Sequence, residues 1–150
     1  MIRAIELSRE NVKSSRGGPF GAVIVKDGKI ISEGVNSVTQ NNDPTAHAEV
    51  SAIRKACEKL KTFDLTGTII YTSCEPCPMC LSAIYWARIS TIYYANTKKD
   101  AAKIQFDDQF IYDEISKNPD QRKIEMKQLM REEAHTVFKD WENSSNKILY

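Results

Sequence analysis

The 150-residue sequence has no long apolar run and no excess of charge of either sign. No segment reaches the ~18 apolar residues that a membrane-spanning helix needs, and the charged N-terminus lacks the apolar core of a secretory signal. Lysine and arginine total 21 against 20 aspartates and glutamates, which leaves a net charge of +1. This balance argues against a nucleic-acid or membrane partner. We therefore expect a cytoplasmic protein.

Cysteine is also scarce, with four residues, yet three of them fall within the stretch TSCEPCPMC. Cysteines this dense serve disulfides, iron–sulfur clusters, structural zinc or catalytic zinc. A reducing cytosol disfavours disulfides. An iron–sulfur segment would carry a fourth cysteine where Ser82, Ala83 and Ile84 stand. The residues therefore favour one of the two kinds of zinc site.

The pattern of elements indicates an α/β fold. The chain has the length of one globular domain, so we expect residues 1–150 to form a single domain. Two β-branched runs joined by Asp27-Gly28 predict a hairpin. The other predicted elements are a helix over 2–12, a helix over 45–60, a strand over 67–72, a helix opened by Pro76, a strand over 91–95 and late helices. This order predicts a mixed sheet between helical layers.

Three side chains are candidate zinc ligands. Cys77 and Cys80 are three residues apart at a predicted helix start and so share one face of the helix. His47 stands at the start of another predicted helix, and helix N-termini favour thiolate charge. Catalytic zinc sites leave the fourth position to water, whereas structural sites close it with protein. Cys74 is either a buried small residue or that closing ligand.

Glu49 distinguishes the two kinds of zinc site. A structural site needs no carboxylate beside its histidine, but a hydrolytic site needs a base for the water and an acid for the leaving group. The pattern H-x-E followed by P-C-x-x-C is a known signature of zinc nucleobase deaminases. We interpret His47, Cys77 and Cys80 as ligands of one Zn²⁺ per chain, and Glu49 as the catalytic residue.

Four segments resemble the cytidine deaminase superfamily, and within it the bacterial guanine deaminases: GGPFGAVIVKDG, NDPTAHAEVSAIRKAC, YTSCEPCPMCLSAIYWAR and DAAKIQFDDQFIYDEI. The resemblance covers residues 17–115, with a weaker likeness at the C-terminal Trp141 and Tyr150. It implies a three-layer α/β/α sandwich with a mixed sheet of about five strands. It also implies hydrolysis of guanine to xanthine and ammonia.

The resemblance implies a purine pocket as well. Asn36 matches the base-contacting asparagine of the family and offers both a donor and an acceptor. Asp108 matches an acidic group that accepts from purine N–H donors. Phe20, Trp86 and Phe106 are candidate aromatic walls. From the residues alone, a turn is the favoured explanation of Asn36, a solvated acidic pair with Asp107 fits Asp108 equally well, and aromatic residues beside apolar runs are usually core.

The C-terminal helix and tail, about residues 122–150, finish with the apolar Ile148, Leu149 and Tyr150, where a terminus is usually polar. A cover over the chain's own core is one explanation. The resemblance favours a segment that covers an active site, that of the partner chain in a homodimer, with Tyr150 at the substrate. His135 fits a solvated helix face and receives no role.

Three other functions stay open at this point. A tRNA adenosine deaminase shares both motifs but needs a basic surface for phosphates. A deaminase of cytosine or guanosine would keep the chemistry and change the pocket. A non-enzymatic zinc module would make no use of Glu49. We expect the partners to be a purine base and water, with no nucleic acid and no membrane.

Overall fold

The computed structural model describes residues 1–150 and divides into two units, residues 1–109 and 110–150. The first unit is built on a four-stranded sheet. Its strands are β1 (Gly21–Lys26), β2 (Lys29–Val35), β3 (Ile69–Cys74) and β4 (Thr91–Asn96). The strand order is β2-β1-β3-β4, with β1 antiparallel to both of its neighbours and β3 parallel to β4. The sheet is mixed, as predicted, but has four strands instead of about five.

Five helices complete the first unit: α1 (Ile2–Lys13), α2 (Val38–Asn41), α3 (Ala48–Leu60), α4 (Pro78–Trp86) and α5 (Lys98–Lys103). Successive side chains of β1 point to opposite faces of the sheet. Val23 packs with Ala4 and Leu7 of α1, whereas its neighbours Ala22 and Ile24 join the larger core beneath α3 and α4. Helices therefore cover both faces, which confirms the three-layer α/β/α architecture.

The hairpin of β1 and β2 forms where the sequence predicts it. Asp27 and Gly28 both have positive φ, 50° and 73°, as a two-residue turn between twisted strands requires. At the other end of β2, a Cβ on Gly34 would lie 2.0 Å from the backbone oxygen of Ala48. The missing side chain lets the start of α3 pack directly against the strand. This contact sets where the first turn of α3 lies relative to β2.

Both helices that carry the zinc motif begin later than predicted. The helix expected from residue 45 begins at Ala48, because the Asp43 carboxylate accepts hydrogen bonds from the backbone N–H and the hydroxyl of Thr45 and holds a turn there. The helix expected to open at Pro76 begins at Pro78. Cys77 precedes this proline and stays extended, since a residue before proline is disfavoured in helical conformation.

The second unit is helical. It contains most of α6 (Gln109–Ser116), a short 3-10 turn (Pro119–Gln121) and α7 (Arg131–Asn143), followed by the tail to Tyr150. None of the α7 residues is buried. None of the helices in either unit combines the length with the apolar character that a membrane crossing requires.

Candidate active site

His47, Cys77 and Cys80 form a compact cluster of metal-ligating atoms, all within 4.8 Å of one another. The His47 Nδ1 atom lies 3.5 Å from the Cys77 Sγ and 3.4 Å from the Cys80 Sγ. Zinc–nitrogen bonds of ~2.0–2.1 Å and zinc–sulfur bonds of ~2.3 Å at tetrahedral angles require nitrogen–sulfur separations of roughly 3.5 Å. The donor set and its spacing therefore fit Zn²⁺.

Two of these residues occupy the N-cap positions of their helices. His47 precedes α3 and Cys77 precedes α4, each with extended backbone. Their carbonyl oxygens accept the first helical hydrogen bonds, from Ser51 and Leu81, but neither side chain caps its own helix. The side chains are thus available to a metal at the positive ends of two helix dipoles.

The thiols of the cluster differ in acidity. Hydrogen bonds from Cys80 and His47 lower the pKa of the Cys77 thiol to about 4, so that it is a thiolate at neutral pH. The hydrogen bond to the Cys77 thiolate, together with burial, raises the pKa of Cys80. The His47 pKa is raised by its hydrogen bond to Cys77. The cluster therefore presents at least one ready anionic ligand.

Glu49 lies beside this cluster on the first turn of α3, and only 6% of it is exposed. Its Oε2 atom is 3.4 Å from the Cys80 Sγ, and its Oε1 atom is 3.3 Å from the Thr72 hydroxyl. Burial raises the pKa of the Glu49 carboxyl. A carboxyl group with a raised pKa next to a metal site suits a group that takes and returns protons.

Cys74 does not join the ligand cluster. It ends β3, and its thiol donates to the Thr97 carbonyl oxygen at 3.6 Å. Burial raises its pKa to about 11, which keeps the thiol protonated. Three protein side chains therefore surround the metal position, which is the ligand count typical of catalytic zinc.

A cavity of about 410 Å³ in the first unit opens onto the cluster. This volume is in the range of small-molecule sites. Of the residues predicted for the site, seven line the cavity: Phe20, Asn36, His47, Glu49, Cys77, Phe106 and Asp108. The sequence reasoning missed the other lining residues: Gly18, Val38, Thr39, Pro44, Glu75, Gln105 and Asp107. Most of these residues lie one or two positions from a predicted site residue in the sequence. That proximity is the signal by which they could have been found.

Phe20 and Phe106 form an aromatic corner of the cavity. Their ring centroids are 5.0 Å apart and the rings are nearly perpendicular, an edge-to-face arrangement that aromatic pairs prefer. Phe20 reaches the cavity immediately before β1, and Phe106 from the segment after α5. The corner provides an apolar surface for a flat ring.

Asn36 is buried just after β2, and its Oδ1 atom accepts from the backbone N–H groups of Gly18 and Val38 at 3.2 and 3.4 Å. Those two donors identify the oxygen end of the amide, a choice that otherwise rests on the hydrogen-bond network. With the oxygen engaged in these two bonds, the Nδ2 group is the end of the amide that is left for other partners at the cavity.

Asp107 and Asp108, the acidic pair at the cavity, make different contacts. The Asp107 carboxylate accepts the backbone N–H of Gln109 at 3.0 Å and so shapes the turn into α6. Asp108 also lines the cavity, and burial, followed by the nearby Cys77 charge, raises the pKa of its carboxyl. Asp108 is thus a partly buried acceptor that faces the ligand volume.

The family model for the "Cytidine and deoxycytidylate deaminase zinc-binding region" matches residues 1–96. The chain belongs to this deaminase family. The match covers His47, Glu49 and both cluster cysteines, and the metal of the family is zinc. The site is therefore that of a zinc-dependent hydrolytic enzyme.

Relatives of known activity cover the chain to different extents. The guanine deaminase of Bacillus subtilis (strain 168) is 56% identical over 148 residues, 99% of this chain and 95% of that protein. Its X-ray structure has a TM-score of 0.96 and covers 99% of this chain and 94% of that chain. The guanine deaminase structure from Nitrosomonas europaea is 34% identical, with a TM-score of 0.67, and covers 71% of this chain and 62% of that chain.

The likeness to tRNA-editing deaminases is shorter. The tRNA-specific adenosine deaminase of Aquifex aeolicus (strain VF5) is 47% identical over 81 residues, 54% of this chain and 54% of that protein. The zinc motifs of the family lie within about half of this chain. The tRNA-specific adenosine deaminase of Buchnera aphidicola subsp. Schizaphis graminum (strain Sg) covers more of the chain, 82%, but at 36% identity over 124 residues.

Two predicted substrate residues do not line this cavity. Trp86 is the last residue of α4 and is 68% exposed. The site uses the first turn of α4, and nine residues at ~1.5 Å each carry Trp86 more than 10 Å along the helix from Cys77. Tyr150 belongs to the second unit, is 73% exposed and is not among the lining residues. His135 lies on α7 and is exposed.

Proposed function

We propose that this chain catalyses the hydrolytic deamination of guanine, with water as co-substrate and xanthine and ammonia as products. The observation that carries the chemistry is the buried Glu49 carboxylate beside a three-ligand metal cluster at a cavity. The likeness to a guanine deaminase, 56% identical over 99% of the chain, supports this base as the substrate, since the tRNA deaminases are less similar and cover less of the chain.

His47, Cys77 and Cys80 would hold zinc, which supplies, when bound, an acidified water for attack on the ring carbon that carries the amino group. Glu49 takes the proton of this water on one carboxylate oxygen. It passes this proton to the adjacent ring nitrogen, then takes the second proton from the hydroxyl added to the ring carbon and gives it to the leaving amino group, so that ammonia departs as the carbonyl forms. The raised pKa of Glu49 helps it to hold the proton between these transfers.

The cavity walls orient the purine in this proposal. The Asn36 Nδ2 group donates to a ring or carbonyl acceptor, and Asp108 accepts from purine N–H donors. Phe20 and Phe106 pack against the flat ring. Guanine carries both acceptors and N–H donors along its edges, whereas the buried polar groups would be left unpaired by a ligand that lacks them, at a cost of roughly 1–3 kcal/mol each.

We further propose that residues 1–150 function as one deaminase domain in a homodimer, and that the segment 122–150 covers the active site of the partner chain with Tyr150 at the substrate. The second unit exposes Phe138, Trp141, Ile148 and Leu149 together with Tyr150, between 48% and 76% of each residue. Apolar side chains exposed at this density mark contact surfaces. Exchange of a terminal segment is a low-cost route to a dimer.

The cytoplasm is the proposed compartment. All four cysteines are free thiols, and two of them serve the metal cluster. Clustered free thiols persist as ligands where the environment is reducing.

A substrate panel tests the proposed activity. The purified zinc-loaded protein is incubated separately with guanine, guanosine, cytosine, cytidine, adenine and a tRNA anticodon hairpin, and released ammonia is measured. We expect ammonia from guanine, formed at least ~10²-fold more slowly in the same reaction with the Glu49→Gln variant. Ammonia from a pyrimidine or from the hairpin, and none from guanine, would overturn the assignment.

A further inference from the structure

Asn11 is a fully buried polar side chain outside the catalytic cluster. It lies on the inner face of α1 with Ala4 and Leu7, which are the other buried residues of this helix. A primary amide in such a place is unfavourable unless its hydrogen bonds are made within the protein. The partners of this amide are therefore informative.

The Asn11 Nδ2 group donates two hydrogen bonds, to the backbone oxygen of Gly18 at 2.8 Å and to that of Asn36 at 2.9 Å. Both acceptor residues line the cavity, although 18 positions separate them in the chain. The Asn11 Oδ1 atom has no hydrogen-bond partner. The contribution of this amide is therefore its two donors, which join the two segments.

The joined segments set the direction of the Asn36 side chain. The Gly18 N–H donates to the Asn36 Oδ1, and the Asn36 N–H donates to the Phe20 carbonyl. A Cβ on Gly17 would lie 2.3 Å from the backbone oxygen of Asn36, so the two backbone segments pack directly against each other with no side chain between them. Displacing Gly18 from Asn36 would leave the amide oxygen with only the longer, 3.4 Å hydrogen bond from the Val38 N–H and so weaken the hold on the direction of the amide.

We propose that Asn11 is a positioning residue for substrate recognition: by holding Gly18 against Asn36, it directs the Asn36 Nδ2 donors into the cavity. This inference rests on the proposed deamination of guanine and names the residue that prepares one substrate contact. Asn11 itself touches neither the substrate nor the metal cluster. It acts through Asn36 alone.

Kinetics of a double-mutant cycle test this role. Asn11→Leu removes both donors, and Ser8→Ala is the matched control, because the Ser8 hydroxyl donates to the neighbouring Pro19 carbonyl, which does not line the cavity. We expect Asn11→Leu to raise the KM for guanine and lower kcat/KM at least ~10-fold with zinc content unchanged, and to change kcat/KM less than ~2-fold in an Asn36→Ala background. Ser8→Ala should leave kcat/KM within ~2-fold of the starting protein.

Equal losses from Asn11→Leu in both backgrounds would overturn the proposal, as would the same loss in Ser8→Ala. If Asn11→Leu does not fold, Asn11→Ser replaces it in the cycle, since the shorter hydroxyl carries one donor and cannot serve both carbonyls. Equal losses from Asn11→Ser in the two backgrounds would overturn the proposal in the same way.

A spectroscopic measurement separates this inference from the proposed function. The side-chain NH₂ signals of Asn36, assigned by their loss in Asn36→Ala, are compared in NMR spectra of the zinc-loaded variants. We expect them to shift and broaden in the Asn11 variant and to keep their positions in Ser8→Ala. Unchanged Asn36 signals in the Asn11 variant would refute its role, whichever base the enzyme deaminates.

Discussion

The Glu49 Oε2 atom and the Cys80 Sγ atom lie 3.4 Å apart, although 31 positions separate the residues in the chain. The first turn of α3 carries the carboxylate and the first turn of α4 carries the thiol. The carboxyl group that we propose as the proton carrier thus lies against a candidate zinc ligand, at the junction of two helix starts. The roles proposed for the two residues differ and can be separated by substitution.

Zinc content should distinguish the three clustered cysteines. We expect Cys77→Ser and Cys80→Ser each to lose most of the one zinc per chain, because either change leaves two strong protein ligands. Cys74→Ser should keep its zinc, since the Cys74 thiol is bonded to the Thr97 carbonyl. Elemental analysis after dialysis measures this. Equal loss in all three variants would support a closed structural site.

Glu49→Gln should fold and bind zinc yet lose at least ~10²-fold in kcat, the lower end for removal of a general acid–base group. The amide keeps the size of the side chain but cannot accept the proton of water. Turnover of guanine is compared with zinc content and melting temperature in the same preparation. Near-normal turnover by a zinc-loaded variant would exclude Glu49 from proton transfer.

Asp108→Asn should weaken the handling of guanine and leave zinc bound. A hydrogen bond to a charged group contributes ~1.5–3 kcal/mol, so kcat/KM should fall about ten- to a hundredfold. Asp107→Asn is the comparison, because an asparagine oxygen can still accept the Gln109 N–H. The loss should be smaller there. Equal kinetics in the two variants would remove Asp108 from substrate binding.

Deleting Lys147 to Tyr150 should leave a folded, zinc-loaded protein whose kcat/KM for guanine falls at least ~10-fold, because a cover that excludes water is lost. Mixing this chain with full-length Glu49→Gln should restore activity. With random exchange in a dimer, half of the molecules are hybrids with one working site in two, so about a quarter of full activity should return. No recovery after verified subunit exchange would place the tail on its own chain or away from catalysis.

Two glycines separate crowding from backbone strain. Gly34→Ala places a Cβ 2.0 Å from the Ala48 carbonyl oxygen, which should cost ~1–3 kcal/mol of unfolding free energy and weaken zinc retention by moving α3. Gly28 has φ +73° with open space around it, so Gly28→Ala should cost ~1–2 kcal/mol and leave zinc bound. Urea unfolding and metal analysis measure both effects. Zinc loss in Gly28→Ala alone would contradict the account.

The hairpin and the metal cluster could be predicted from the sequence because each depends on local chemistry. Asp27-Gly28 specifies its turn through backbone conformation, and His47, Cys77 and Cys80 carry a spacing that only metal chemistry explains well. The resemblance to a known family added Asn36 and Asp108, whereas the order of the elements already predicted a sheet between helical layers. These predictions use short-range patterns or known motifs.

Other features depend on packing between distant segments. Gly18 and Asn36 in the cavity wall are both hydrogen-bonded to Asn11 of α1. Asn11 belongs to no recognisable sequence motif. Trp86 follows the zinc helix in sequence but is carried away from the cavity by the helical rise. Such placements follow from the assembled fold, which periodicity alone does not determine.

The positions of His47 and Cys77 at two helix starts give the metal a second effect. A zinc ion held by both residues cross-links points 30 residues apart in the chain, as a disulfide would. In the chain-entropy treatment of such a cross-link, closing a loop of this length lowers the conformational entropy of the unfolded protein, which stabilises the folded state by about 3–4 kcal/mol. The ion that serves the chemistry thus also ties α3 to α4, and its loss would favour unfolding even in a variant with no activity to lose.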